Sequence, residues 1–259
     1  MMSGATDAGG GADKVNRDLY AVVNSGRDDY WRKMAAPRFR VRTILKTLEA
    51  DPPASLLDLG CGNGQLLVEV QPRFPGIRLA GIDLSAPQID ANRARSPGVG
   101  WYVCDLQAQY SVPGEIHGNF DVVVASEIIE HLTVPESFLH NARLLARPGS
   151  GRLILSTQSG PLRETERRVG HHRHYQSADI EALLRRTGWS PVRIWNCGFP
   201  FHDLSKWWAN RHPEASLERF GGQSYGPYDN LVCLALRSAF LLNSRRRGAQ
   251  LFAVARRSH

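Results

Sequence analysis

Two short clusters in this sequence carry groups able to move a proton or hold an ion. Glu127-Ile128-Ile129-Glu130-His131 spaces two carboxylates and an imidazole at i, i+3 and i+4, which predicts one helical face bearing all three. An imidazole titrates near neutrality and serves as a general base. Two carboxylates with an imidazole also suit magnesium or manganese better than structural zinc. The second cluster, Gly170-His171-His172-Arg173-His174-Tyr175, holds three histidines within four residues, more than a surface loop needs. His171 and His172 are candidates for the base or, were a metal held by Glu127, Glu130 and His131, for its fourth ligand. His174 and Tyr175 are expected to cap the following helix or pack beneath it.

Three further carboxylates close predicted strands. Leu56-Leu57-Asp58-Leu59 suits a parallel strand covered on both faces, and it enters the turn Gly60-Cys61-Gly62-Asn63-Gly64, whose glycines let the backbone approach a ligand before a helix begins near Gln65. The alternate-glycine spacing differs from the GxGxxG dinucleotide fingerprint. A second strand ends at Asp83-Leu84, where a carboxylate would accept hydrogen bonds from a ribose diol. A third ends at Cys104-Asp105-Leu106, where an adenine amino group would be bound. Polar groups at three successive strand ends predict a nucleotide-like cofactor in the crevice of an open α/β sheet.

On these residues the chain resembles the class I S-adenosylmethionine-dependent methyltransferases. Asp58-Leu59-Gly60-Cys61-Gly62-Asn63-Gly64 matches their glycine-rich motif, followed in order by Gly81-Ile82-Asp83-Leu84-Ser85, by Phe120-Asp121-Val122-Val123-Val124-Ala125-Ser126 with 127–132, and by Arg147-Pro148-Gly149 ahead of a strand. The resemblance covers residues 38 to 195. It implies S-adenosylmethionine as cofactor, with Asp58, Gly60, Cys61 and Gly62 shaping its turn, Asp83 and Leu84 at the ribose, Asp105 and Leu106 at the adenine, and Ser126 and Glu127 on the floor. It also implies an arginine from the N-terminal helices at the methionine carboxylate. Arg38, Arg40 and Arg42 are the candidates, with Arg40 preferred. Methyl transfer from a sulfonium is an in-line displacement, so the protein holds donor and acceptor in line and takes a proton from a hydroxyl acceptor. His131, with His171 or His172, is the expected base. The ExxEH arrangement at Glu127, Glu130 and His131 is similar to one with which ubiquinone-pathway O-methyltransferases and small-RNA 2′-O-methyltransferases hold a divalent metal, so metal binding by these three stands as the alternative to a metal-free site.

The elements that must position these groups alternate. Strands are predicted at 55–59, 79–84, 100–104, 120–125, 152–157 and 191–195, with helices at 65–72, 87–95, 135–145 and 177–186, the last capped by Ser177. Such alternation implies a doubly wound, Rossmann-like α/β sheet. A strand at 251–255 would complete the seven of the resembled family, in which the last is antiparallel. Ahead of the sheet, an amphipathic stretch at 28–49 with Tyr30, Trp31, Met34 and Phe39 among its apolar members reads as a helical cap broken at Pro37. The segment 196–250 is far longer than a sheet connection and reads as a helical insertion, a lid or an interfacial element ending in Arg245-Arg246-Arg247.

At 259 residues and 42% hydrophobic the chain suits one medium domain. A disordered leader at 1–14 is expected before a single domain over 15–259, with 15–50 as cap and 196–250 as lid. No run is long enough to span a membrane. Four dispersed cysteines argue against a disulfide framework or zinc site and fit a reducing cytoplasm. The net charge of +7 suits an anionic partner or a merely soluble basic surface. The expected activity is methyl transfer to a hydroxyl, less readily an amine, of a small, apolar, glycosylated or lipid-linked acceptor. A metal-dependent RNA 2′-O-methyltransferase and a non-catalytic cofactor-binding partner subunit are the rivals. Nucleic acid is not the expected partner, because the basic residues are dispersed. The basic, apolar tail suits peripheral membrane contact or a homodimer.

Overall fold

A computed structural model describes residues 33–108, 111–216 and 226–258. The expected leader and the start of the cap, including Tyr30 and Trp31, lie outside them. Seven strands form one sheet: β1 (Ser55–Leu59), β2 (Arg78–Asp83), β3 (Gly100–Val103), β4 (Val122–Ser126), β5 (Arg152–Gln158), β6 (Trp189–Cys197) and β7 (Gln250–Arg257). Their order is β3-β2-β1-β4-β5-β7-β6. The first five pair in parallel, while β7 slots antiparallel between β5 and β6. This is the expected doubly wound architecture with its antiparallel last strand.

Leu56, Leu57 and Leu59 of β1 follow from its place near the middle of that sheet, where all five residues, Ser55 and Asp58 included, are buried. Side chains alternate between faces. Leu57 and Leu59 join one core with Val123, Leu153 and Trp189, and Leu56 joins the other with Val122, Ile154 and Phe252. Helices cover both faces: α1 (Ala35–Ala50), α2 (Gln65–Val70), α3 (Ala86–Arg95), α4 (Pro135–Leu145), α5 (Glu164–Arg168) and α6 (Ser177–Arg186). All four cysteines are free and buried.

Two local expectations need correction. The break placed at Pro37 falls at Met34, and Pro37 lies in the first turn of α1, where a missing N–H costs nothing because that group has no helical partner. Helix α6 is capped by Gln176 and not by Ser177: the Gln176 N–H donates to Asp179 Oδ2 at 2.8 Å, whereas the Ser177 hydroxyl donates to Asn196 at 3.0 Å. The segment 196–250 supplies two long helices, α7 (Phe201–Arg211) and α8 (Pro227–Phe240). Phe240 of α8 meets Phe39 of α1 edge-on at 6.0 Å and the His202 ring of α7 at 6.0 Å, so the insertion is fastened to the N-terminal helix. Among the described residues no helix is long and apolar enough to cross a membrane.

Candidate functional site

The turn after β1 is left-handed at Gly60, Gly62 and Gly64, with φ of 69°, 49° and 74°, which only glycine adopts without strain. A side chain at Gly60 would also overlap Ile128. The turn is tied to β2 from below: Gly60 and Cys61 donate to the Ile82 carbonyl at 2.8 and 2.9 Å, and Gly62 donates to Asp83 Oδ2 at 2.8 Å. Asp83 Oδ1 accepts from the Ser85 N–H at 3.0 Å, which starts α3. From α3, the Asn92 amide donates to the Gly62 carbonyl at 2.7 Å and is itself steadied by Gln88. Asn92 and Gln88 went unnoticed in the sequence. Their signal was a buried polar pair at i, i+4 on the inner side of a helix.

Asp58 and Asp83 make this turn electrostatically unusual. Burial, and then the neighbouring Asp83, push the Asp58 carboxyl up to about 8. Burial also raises Asp83, against the N–H groups of Ser85, Gly62 and Leu84. Two neighbouring buried carboxyls, both raised by desolvation, form a site that favours positive charge. Cys61 contributes backbone only, its thiol being buried and pushed far up by desolvation. Asp105 Oδ1 accepts from Gln107 N–H at 2.9 Å, Leu106 is buried in the core, and Leu84 is exposed beside the turn.

Beyond β4 the structure departs from a helix. Glu127 is left-handed, with φ of 55°, the one such non-glycine among the described residues, and only a single 3₁₀ turn, Ile129–His131, follows. The expected common helical face for Glu127, Glu130 and His131 therefore does not form. Strain of this kind concentrates at functional sites. It turns the Glu127 carboxylate to Gln158 Nε2 at 2.5 Å, Gln250 Nε2 at 2.8 Å and Ser156 Oγ at 3.2 Å, with Arg40 Nη1 at 3.9 Å. Burial works to raise Glu127, but Arg40 and the two glutamines outweigh it and hold the carboxyl below its usual value. Of the three candidate arginines, Arg40 reaches this floor, whereas Arg38 and Arg42 line a groove between α1 and α8. Ser126 bonds Ser156 across the strands at 3.0 Å. Lys206 of α7 donates to Gln158 at 2.9 Å, so the insertion also reaches the floor. Gln158, Gln250 and Lys206 lie far from any motif and carried no local signal.

Glu130 and His131 meet the histidine segment. The segment is stitched on by His172 N–H to the Glu130 carbonyl at 2.8 Å, by His131 Nδ1 with the Gly170 carbonyl at 3.2 Å and by the Tyr175 hydroxyl to the Ile129 carbonyl at 3.2 Å. Tyr175 is therefore buried against the turn after β4. The His131 and His171 rings meet edge-on at 4.5 Å. Ligand atoms of Glu130, His131 and His171 all lie within 4.8 Å of one another. The trio expected from spacing is thus changed: His171 takes the place of Glu127.

Carbonyl partners fix the tautomers. His131 Nδ1 carries its hydrogen toward Gly170, leaving the lone pair on Nε2. His174 Nδ1 faces the Gly160 carbonyl at 3.3 Å, so its Nε2 accepts from His171 Nδ1 at 3.1 Å, and His171 too keeps its lone pair on Nε2. Burial pushes His131 down to about 4 and His171 down to about 2, keeping both neutral at physiological pH. Glu130 is fully buried and its carboxyl is raised well above normal, by burial first and Glu127 second. Its Oε2 accepts from Thr157 at 2.8 Å, while Oε1 is buried with no hydrogen-bond partner.

A sheet of order 3-2-1-4-5-7-6, with Asp58 and Asp83 closing β1 and β2 beside a left-handed glycine turn and Asp105 just past β3, defines the class I S-adenosylmethionine-dependent methyltransferase fold. The chain belongs to the methyltransferase-domain family, whose model matches residues 30–194. A ubiquinone biosynthesis O-methyltransferase of Azoarcus sp. (strain BH72) is 35% identical over 39% of this chain and 43% of its own length. The chain spans 34% to 55% of three other curated relatives. Among solved structures, the Burkholderia thailandensis 1,6-didemethyltoxoflavin-N1-methyltransferase, with its substrate and S-adenosylhomocysteine bound, superposes with a TM-score of 0.61 at 18% identity, over 100% of this chain and 94% of that one. The [4+2]-cyclase SpnF superposes with a TM-score of 0.56 at 17% identity, over 86% and 82%. The fold therefore houses more than one chemistry, and activity must be argued from the site.

Proposed function

We propose that the protein is an S-adenosylmethionine-dependent methyltransferase acting on a hydroxyl group of a small or lipid-linked metabolite. The reading takes 15–259 as one domain with 196–250 as its lid, working in the cytoplasm on a diffusible or membrane-borne acceptor. The observation that carries it is the pairing of a cation-favouring glycine turn with two neutral imidazoles whose lone pairs sit on Nε2. The turn suits the ammonium and sulfonium of the cofactor. Arg40, released from Glu127, suits its carboxylate. An imidazole held neutral takes a proton from a hydroxyl, whereas an amine that reacts already deprotonated needs no such group. Relatives that act on ubiquinone precursors agree with a hydroxyl acceptor.

The first test uses Asp58. Its carboxyl lies at about 8 in the folded protein against 3.8 ordinarily, so at pH 6.5 it is protonated, and a bound cation ionises it. Calorimetry in buffers of different ionisation enthalpy is expected to show close to one proton released per cofactor at pH 6.5, and none for Asp58→Asn. The sign for stability follows: the raised group contributes fully below the unfolded value and loses its contribution as pH rises through about 8, so cofactor should stabilise the protein most at alkaline pH. Equal proton release in both proteins would overturn the role of Asp58. Failure to bind the cofactor would overturn the methyltransferase reading, whereas binding without turnover of any acceptor would leave a non-catalytic cofactor-binding subunit.

One observation favours a metal-assisted variant: the unpartnered, buried Oε1 of Glu130 belongs to a carboxylate grouped with His131 and His171. A carboxylate and two imidazoles fit manganese or a similar divalent ion. When bound, such an ion would acidify an acceptor hydroxyl. Thermal unfolding with manganese separates the readings: a rise of several degrees in wild type that is lost in Glu130→Gln assigns the metal, and no rise in either leaves the imidazoles as the base.

A further inference from the structure

Helix α8 is turned inside out for a surface helix. Between Pro227 and Phe240 its charged residues are Asp229 and Arg237, and its inward positions, Cys233 and Phe240, are buried. Yet Tyr228, Leu231, Leu234 and, just past the helix, Leu242 are 75%, 64%, 56% and 74% exposed. Isolated exposed leucines are ordinary, but a row of them along one helix marks an interaction surface.

Cations border this apolar row. Between α8 and α1 lies a groove of about 400 Å³ lined by Phe39, Leu45 and Phe240 and by Arg42, Lys46 and Arg237. Beyond α8, Arg245, Arg246 and Arg247 are exposed. The run folds back toward α1: the Lys46 ammonium is held below its usual value by desolvation, then by Arg245 and Arg42. Two acidic residues line the groove against five basic ones, Arg38, Arg42, Lys46, Arg73 and Arg237: Glu69 is already paired with Arg73 at 3.3 Å, and Glu49 lies close enough to Lys46 to offset part of its charge.

Charge chooses among occupants. A second copy docked about a two-fold axis would set this cationic border against itself. Nucleic acid would neutralise the arginines but leave the leucines in water. A bilayer with anionic headgroups satisfies both, because acyl chains receive the leucines while phosphates receive the guanidinium groups. We propose that the α1–α8 face, with the arginine run that follows it, docks the protein on an anionic phospholipid bilayer, a lipid phosphate occupying the groove. The helices lie on the surface and do not cross it.

Flotation of the full chain with vesicles of phosphatidylcholine, alone or mixed with phosphatidylglycerol, tests this. Wild type is expected to float with the mixed vesicles at low salt and to be released at high salt. Arg245→Gln/Arg246→Gln/Arg247→Gln should weaken partitioning by about 100-fold, since each basic side chain near such a surface contributes severalfold. Leu231→Glu/Leu234→Glu should abolish it, and circular dichroism melts near that of wild type would show both variants folded. The arginine variant alone decides should the leucine variant not fold. No flotation with phosphatidylglycerol, equal flotation of wild type and the arginine variant, or a wild-type dimer in light scattering that Leu231→Glu/Leu234→Glu makes monomeric would each overturn the proposal.

Discussion

Replacing Asp83 by alanine is expected to weaken S-adenosylmethionine binding by about 100-fold or more while leaving the protein folded. Asp83 works in two directions. Toward the protein, its two oxygens hold the Gly62 and Ser85 N–H groups at 2.8 and 3.0 Å, fixing the turn and the start of α3 together. Toward the cleft, it closes β2 next to Asp58 and is the group proposed to accept from a ribose diol. Hydrogen bonds to a charged acceptor contribute about 1.5–3 kcal/mol each. Two diol bonds, at about 1.4 kcal/mol per tenfold, therefore amount to about two orders of magnitude or more. Asp83→Asn keeps one oxygen for the turn and should fall between wild type and Asp83→Ala. Calorimetric titration with the cofactor decides: an affinity for Asp83→Ala within threefold of wild type would remove Asp83 from the cofactor site.

The glycine turn and its carboxylates could be read from sequence because their causes are local. Leu56, Leu57 and Leu59 announce a strand buried on both faces, and no residue but glycine fits the left-handed turn at Gly60, Gly62 and Gly64 without strain. The doubly wound sheet and its antiparallel last strand followed from alternation and resemblance. The chemistry beyond β4 was harder, because it depends on one backbone angle. A helical φ at Glu127 would have set it beside Glu130 and His131, and spacing alone carries no sign of the left-handed turn. That turn is held from distant strands, by the Glu127 N–H to the Ser156 carbonyl at 3.0 Å and by the amides of Gln158 and Gln250. Glutamines 92 residues apart in partnership with one carboxylate leave no pattern in sequence. The insertion was visible as excess length, but only packing separates the inward Cys233 and Phe240 from the outward leucines of α8.

The imidazole pair yields the second large effect. His131→Ala is expected to lower turnover with a hydroxyl acceptor found by screening about 100-fold or more, at nearly unchanged cofactor affinity, because general base catalysis contributes that much. The pH profile distinguishes a base from a packing residue. A free imidazole would lose activity as pH falls through about 6.5, but burial holds His131 down to about 4, so wild-type turnover should stay level from neutrality to below pH 5 and fall only near 4. Stability carries the same sign: a depressed imidazole stabilises the fold fully above its unfolded value and loses that contribution as pH falls through about 4. His171 is depressed further and meets the His131 ring edge-on, so it is expected to be the weaker base and to hold its neighbour's ring in place. His171→Ala should therefore reduce turnover less, and the double variant should fall little below His131→Ala, since both act on one proton. Unchanged turnover in His131→Ala would exclude it as the base, and a larger loss in His171→Ala would transfer that role to His171.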